Sequence, residues 1–220
     1  MTITDVITAV SVAIAAISFM AGVSAWRREF IGKRRIELAE TVLALFYEAE
    51  DAIREIRNPF SFNSEGNSRK RVETETEEES KLLDRAYIVF ERYQKREKLF
   101  ADLRSMKYRV MAVFGADAGT PIDELSKIIS EIFTAAQMLG RIYWPRQGHI
   151  SRNDEQFQRH LDAMHEQEEI FWFMGGEDKV SKKVHRAVEQ MESIAKEANA
   201  SQTSLIEKIR NRFRKNKGST

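Results

Sequence analysis

The sequence contains no cysteine and only three prolines among its 220 residues. The absence of cysteine excludes disulfides, thiolate metal sites, iron–sulfur clusters and a cysteine nucleophile. Each proline, at positions 59, 121 and 145, falls where the surrounding pattern predicts that a helix begins or ends. No segment alternates apolar and polar residues with the period of two that is typical of a strand. The sequence therefore predicts an all-α protein.

Signatures of catalysis are also missing. There is no GxxxxGK[ST] or GxGxxG phosphate-binding motif and no GxSxG nucleophile elbow, so neither a nucleophile nor a cofactor can be named. The formal net charge is only +1, from 35 basic and 34 acidic side chains. General nucleic-acid binders usually carry a strongly basic face, so we expect no nucleic-acid partner. These absences favour a protein that is not an enzyme and predict no cofactor.

Charge is absent from one long stretch near the N-terminus. Val6 to Trp26 comprises 21 uncharged residues, which as a helix would be about 31 Å long, close to the roughly 30 Å of a bilayer's hydrocarbon core. Residues 1–26 are therefore predicted to form a transmembrane signal-anchor. A cleaved signal peptide, with Val23-Ser24-Ala25 as its cleavage site, and a buried core helix are the alternatives. The absence of Lys and Arg before the stretch favours the membrane span.

Basic residues follow this stretch at once. The positive-inside rule then predicts that the N-terminus lies outside a bacterial-type inner membrane and that the rest of the chain is cytoplasmic. Ser18 and Gly22 have the spacing of a helix–helix contact, which indicates either a homodimer or ordinary membrane-helix composition. The predicted membrane-interface residues are Trp26, Arg27, Arg28, Lys33, Arg34 and Arg35.

The rest of the chain reads as amphipathic helices. We predict a juxtamembrane helix over 27–57, a charged loop over 58–75, a helical bundle of long amphipathic helices over 76–200 and a basic tail helix over 201–220. Within the bundle, one helix is expected to run from Thr76 to Phe114, and the next to begin with Thr120 as its N-cap. The basic run at 69–71 is interpreted either as a solvated part of the loop or as a phosphate or lipid contact.

Three groups of side chains are candidate sites. Asp162 and His165 have carboxylate-x-x-His spacing, so they indicate a metal site to which Glu166, Glu168 and Glu169 could add carboxylates, or simply a polar helix face. The aromatic run Phe171, Trp172 and Phe173 predicts a partner contact or a helix end packed into the core. In the tail, a lipid or anion contact, a solvated segment and a nucleic-acid contact remain open. The tail residues concerned are Lys208, Arg210, Arg212, Arg214 and Lys215.

The leading hypothesis from these patterns is a single-pass membrane protein. Its helical domain would act as a scaffold or adaptor for an unidentified protein, while residues 6–26 bind the bilayer. A membrane-tethered metal-dependent enzyme is the first alternative. The second is a sensor of anionic lipid surfaces that uses the basic tail.

Overall fold

A computed structural model describes residues 3–147, 154–176 and 178–197. In these ranges the chain is 85% helical and contains no strand, which confirms the all-α prediction. The described residues fall into two compact units. The first comprises residues 3–41 with 195–197, and the second comprises Val42–Ile194.

The first long helix, α1, extends from Ile3 to Ile56. Residues 6–26 and most of 27–57 thus belong to one helical element. Its apolar window has a mean hydropathy of 2.3 and none of it is buried, so α1 is long and apolar enough to cross a membrane. The helix ends just before Asn58 and Pro59, as expected because a residue preceding proline avoids helical geometry.

The C-terminal part of α1 supplies one wall of the core in the second unit. Val42, Phe46, Ala49, Ile53 and Ile56 recur at three- and four-residue steps, and each is at most 2% exposed. This spacing places them on one face of the helix. Most of the remaining core residues come from the helices that follow, α2 (Glu77–Lys95), α3 (Glu97–Phe114), α4 (Thr120–Met138), α6 (Asp154–Phe171) and α7 (179–197).

The predicted single helix from Thr76 to Phe114 is wrong. Helix α2 begins with a capping box between Thr76 and Glu79, but the chain turns at Arg96, which has φ −111° and ψ 8°. After this turn, Leu99 and Phe100 enter the core. Because no proline or glycine lies at the break, periodicity alone did not indicate it.

Helix α4 also begins differently from the prediction. Thr120 is its first helical residue and not its N-cap, because a short 3-10 helix, Ala116–Gly119, leads directly into it. Asp123 does not cap the helix either, since its carboxylate pairs with the Lys107 ammonium of α3 at 2.7 Å.

A π-helix, Leu139–Tyr143, follows α4 and leads into the single turn α5 (Trp144–Arg146). The wider turn precedes Pro145, whose ring would clash with the Arg141 carbonyl in a regular α-helix. Gly140 lies against α2 so closely that a Cβ would approach the Ala86 Cβ to 2.7 Å. This position therefore requires glycine for helix packing.

Helix α6 ends at Phe171, and the glycine pair after it has positive φ angles of 83° at Gly175 and 65° at Gly176. Such angles favour glycine and are incompatible with a continuing α-helix, so the pair separates α6 from the helix that follows. The residues Asn153-Asp154-Glu155-Gln156 have the pattern of an N-cap for α6, but Asn153 lies outside the described residues.

Candidate partner-binding surface

Arg57, the residue after α1, is a buried charge at the meeting point of three helix ends. Its side chain is 1% exposed. Its guanidinium donates to the main-chain carbonyls of Glu169, Ile170 and Trp172 at 2.8 Å each. It also donates to both carboxylate oxygens of Asp178, at 3.1 and 2.9 Å. The last carbonyls of a helix have no N–H donor within the helix. Arg57 supplies donors to such carbonyls at the end of α6.

Asp178 completes this arrangement from the start of α7. One of its carboxylate oxygens accepts from the Ser181 amide at 2.7 Å, as an N-cap does. Burial opposes ionisation of Asp178, but the hydrogen bonds from Arg57 and the Ser181 amide leave its pKa below the usual value. Burial lowers the pKa of Arg57, although Asp178 partly offsets the shift. The ion pair therefore links the end of α1 to the start of α7.

Arg92 of α2 is a second buried arginine, and it donates to main-chain carbonyls of the loop after α1. Its side chain is 7% exposed. Its guanidinium donates to the Glu65 carboxylate at 2.8 Å and to the carbonyls of Asn58 and Phe60 at 2.6 Å each. It also reaches the last carbonyls of α1 at 3.3 Å. Because Glu65 accepts from Arg92, its pKa is lowered.

The two anchored loops present large apolar side chains to solvent. Phe60 is 85% exposed, Phe62 is 81% exposed and Met174 is 67% exposed. Hydrogen bonds of the main-chain amides fix the loop backbones. The Phe173 amide donates to the Arg57 carbonyl at 2.6 Å, and the Phe62 amide donates to the Glu65 carboxylate at 3.1 Å. Because the backbone is already fixed, binding of a partner would cost the ordering of these side chains but little ordering of the loops. We call Phe60, Phe173 and Met174 the loop patch.

The loop patch borders a groove of ≈ 560 Å³. Its charged rim residues are already paired, because Arg54 binds Asp51 at 3.3 Å and Glu55 binds Arg96 at 2.6 Å. The groove therefore offers mainly apolar surface with a neutral rim. Sequence patterns did not single out Phe60. The available signal was an aromatic pair, Phe60 and Phe62, in an otherwise polar stretch.

The three aromatic residues predicted to contact a partner differ in how deeply they are buried. Phe171 is 0% and Trp172 is 8% exposed, and both belong to the hydrophobic core. Their rings pack edge to face at 4.3 Å. Phe173 is half-buried and lines the groove. The burial of the first two agrees with the alternative of a helix end packed into the core, and it leaves Phe173 as the member available to a partner.

The interpretation of the basic run 69–71 as a solvated loop is wrong for Arg69. Its side chain is 13% exposed. It donates to both carboxylate oxygens of Glu75, at 2.8 and 2.5 Å, and to Asp84 at 2.8 Å. The Arg69 bonds lower the pKa of Glu75 to about 2, and they raise that of Arg69. These bonds hold the loop 58–75 against α2.

The predicted membrane-interface residues lie on α1 in the first unit. Trp26 is 66% exposed and stacks on Phe30 with ring centroids 5.7 Å apart. The Arg34 guanidinium lies 5.3 Å from the Phe30 centroid, as in a cation–π contact. Arg27, Arg28 and Lys33 are exposed as well, and Arg35 is half-buried. An exposed aromatic beside cations is typical of an interface anchor.

The carboxylates proposed for a metal site make other bonds. Glu168 accepts from the Trp144 indole at 2.9 Å, Glu169 pairs with Lys179 at 2.8 Å, and Asp162 accepts from Gln158 at 2.9 Å. Across the described ranges, no group of three or more His, Asp or Glu side chains could hold a metal ion. The candidate lipid-contact residues of the tail lie outside the described residues.

Comparison with protein-family models, with curated proteins and with solved structures finds no match to this chain.

Proposed function

We propose that this protein is a single-pass membrane adaptor. In this account, α1 crosses the membrane with its N-terminus outside, and the cytoplasmic part of the chain forms a helical bundle. The bundle binds an apolar segment of another protein at the loop patch.

The anchor part of the proposal is supported by the exposed apolar window of α1. A window of mean hydropathy 2.3 with no buried residue leaves the hydrophobic surface without a protein core to cover it. Large exposed apolar surfaces mark contacts with membranes or partners. The basic residues after Trp26 support an N-out orientation through the positive-inside rule.

The adaptor part is supported by the loop patch. Its exposed apolar side chains stand on backbone that two buried arginines hold in place. Hot spots of protein interfaces are likewise apolar anchors on preorganised surfaces. The paired charges at the groove rim favour an uncharged apolar segment as the occupant. This observation favours a partner protein over an anionic ligand at this site.

Site-directed photo-crosslinking of the full-length chain in its native membrane tests the adaptor proposal. A photo-reactive amino acid replaces Phe60, and in a matched control it replaces Tyr108, which is 74% exposed on α3. We expect a discrete crosslinked heteromer from position 60 only. The substitution Met174→Asp should remove this product, because it places a charge in the groove.

Other products would contradict the proposal. A crosslink at twice the mass of the chain would identify a second copy as the occupant. Lipid adducts, or the same products from positions 60 and 108, would mean that the loop patch is not a protein-binding site.

A further inference from the structure

A second cleft, of ≈ 690 Å³, lies between α2, the π-helix and the loop that contains Arg69. It shares no lining residue with the groove at the loop patch. Its volume falls in the range of about 300–1,000 Å³ that is common for small-molecule sites. Apolar side chains and the close-packed glycine form much of the lining, namely Val72, Leu83, Ala86, Tyr87, Phe90, Ala136, Gly140 and Pro145.

The aromatic part of the cleft is held by stacking. Tyr87 and Phe90 have ring centroids 5.6 Å apart and planes inclined by 23°. Phe90 in turn stacks on Phe133 of α4 with centroids 4.5 Å apart. The stacking holds Tyr87 and Phe90 in place as an apolar side of the cleft. Such a surface suits a planar or apolar ligand body.

The charged lining residues differ in whether they already have partners. Arg69 and Glu75 bind each other, and Glu79 is used in the capping box with Thr76. Lys70 and Arg141 are exposed, and within the part of the chain that the structure describes they have no ion-pair partner. The two cations therefore remain available to an anion.

The position of Arg141 depends on the π-helix. Arg141 lies inside the wide turn, next to Gly140, where the π-helix packs directly against α2. π-Helical turns are rare and frequently occur at functional sites. Here the turn places a cation beside an apolar wall.

We propose that this cleft binds a small, soluble organic anion with an apolar or aromatic body. The body packs against Tyr87 and Phe90, and the anionic group pairs with Lys70 and Arg141. This inference does not depend on the adaptor proposal, because the two sites share no residue.

Isothermal titration calorimetry of the full-length, detergent-solubilised protein with 1-naphthyl phosphate tests this proposal. We expect saturable binding at one site per chain. Arg141→Gln and Lys70→Gln should each weaken binding by about tenfold, equivalent to ~1.4 kcal/mol. Lys127→Gln is the matched control, because Lys127 is an exposed cation of α4 outside the cleft, and it should leave the affinity unchanged. The compounds 1-naphthol and inorganic phosphate each lack one half of the probe and should bind at least tenfold more weakly.

Three results would overturn the proposal. The first is the absence of saturable naphthyl phosphate binding to the unmodified chain. The second is equal affinity for naphthol, which would mean that the cations take no part. The third is unchanged affinity in both glutamine variants. Both substituted side chains are exposed, and unchanged far-ultraviolet circular dichroism would show that these variants fold.

Discussion

Two regions of this molecule expose apolar side chains. They differ in which groups form hydrogen bonds with the backbone N–H and C=O groups beneath those side chains. In the apolar window of α1, the helix bonds its own N–H and C=O groups, and none of the window is buried. In the loop patch, buried charges bind the loop carbonyls. A hydrocarbon environment requires every backbone group to be satisfied within the segment, which the helix achieves and a loop does not. This difference supports the proposals that lipid covers the first region and that a partner protein binds the second.

The largest expected effect concerns the apolar window. Ile14 and Ile17 are 59% and 68% exposed there. The double substitution Ile14→Arg and Ile17→Arg should raise the free energy of membrane insertion by about 2.5–3.5 kcal/mol per residue at the centre of a span. Most of the chain should therefore leave carbonate-washed membranes. The control Phe60→Arg places one such charge in the loop patch and should leave the membrane fraction unchanged. If both variants remained in the membrane equally, the distinction between the two regions would fail.

The next effect concerns the buried charges beneath the loops. Arg92→Ala removes the cation that pairs with Glu65 and the side-chain donor to the carbonyls of Asn58 and Phe60. Removing one partner of a buried ion pair typically costs about 3–5 kcal/mol. We expect that loss in the free energy of unfolding of the domain, measured in denaturant through the buried indoles of Trp144 and Trp172. Arg96→Ala removes an exposed pair and should change stability by about 0–1 kcal/mol. Equal effects of the two substitutions would show that Arg92 does not hold the loop.

The loop 58–75 should also respond to pH. The pKa of Glu75 is lowered from 4.5 to about 2 in the folded chain, because Arg69 bonds its carboxylate. A lowered folded-state pKa stabilises the fold above the unfolded-state pKa, and this contribution disappears as pH falls through the folded value. We therefore expect unfolding free energy to fall between about pH 4.5 and pH 2.

Glu75→Gln should flatten that part of the pH profile and reduce stability at neutral pH. Glu73→Gln is the matched control, because Glu73 is an exposed residue of the same loop. A profile that is as steep in the Glu75 variant as in the unmodified chain would contradict the role of the Arg69–Glu75 pair.

The smallest effect on stability is expected in the loop patch itself. Phe60→Ser with Met174→Ser should change unfolding free energy by only about 0.5 kcal/mol, because both side chains are exposed. Phe171→Ala, close in sequence but fully buried, should cost about 3–5 kcal/mol. Loss of the position-60 crosslink at unchanged stability would separate binding from folding. A large loss of stability in the serine variant would instead assign the patch to the fold.

Much of the helical fold could be predicted from the sequence, because it follows from periodicity and end signals. The core face of α1 and the Thr76 start region of α2 are of this kind. The break at Arg96 could not be predicted, since it contains no proline or glycine. The start of α4 was misplaced by one residue because the Gly115–Gly119 segment continues as a 3-10 helix.

The candidate surface depended on long-range contacts and was harder to predict. Arg69 pairs with acidic side chains that are 6 and 15 residues away in sequence. The residues directly around Arg69 therefore indicated only a charged, solvated loop. Arg92 binds carbonyls more than 30 residues away. No local pattern reports such bonds. Sequence patterns did not indicate Phe60 for the same reason, because its place in the loop patch depends on the backbone that Arg92 fixes.

Topology measured by cysteine labelling tests the account most directly, since the chain has no cysteine of its own. Thr4→Cys and Ser130→Cys place single thiols at exposed positions on α1 and α4. The reagent is a maleimide that passes the outer barrier of intact cells but does not cross the inner membrane. If the N-terminus lies outside that membrane, position 4 is labelled. Position 130 is then labelled only after lysis. Labelling of position 130 in intact cells, or recovery of the full-length chain in the soluble fraction without detergent, would contradict the N-out membrane adaptor.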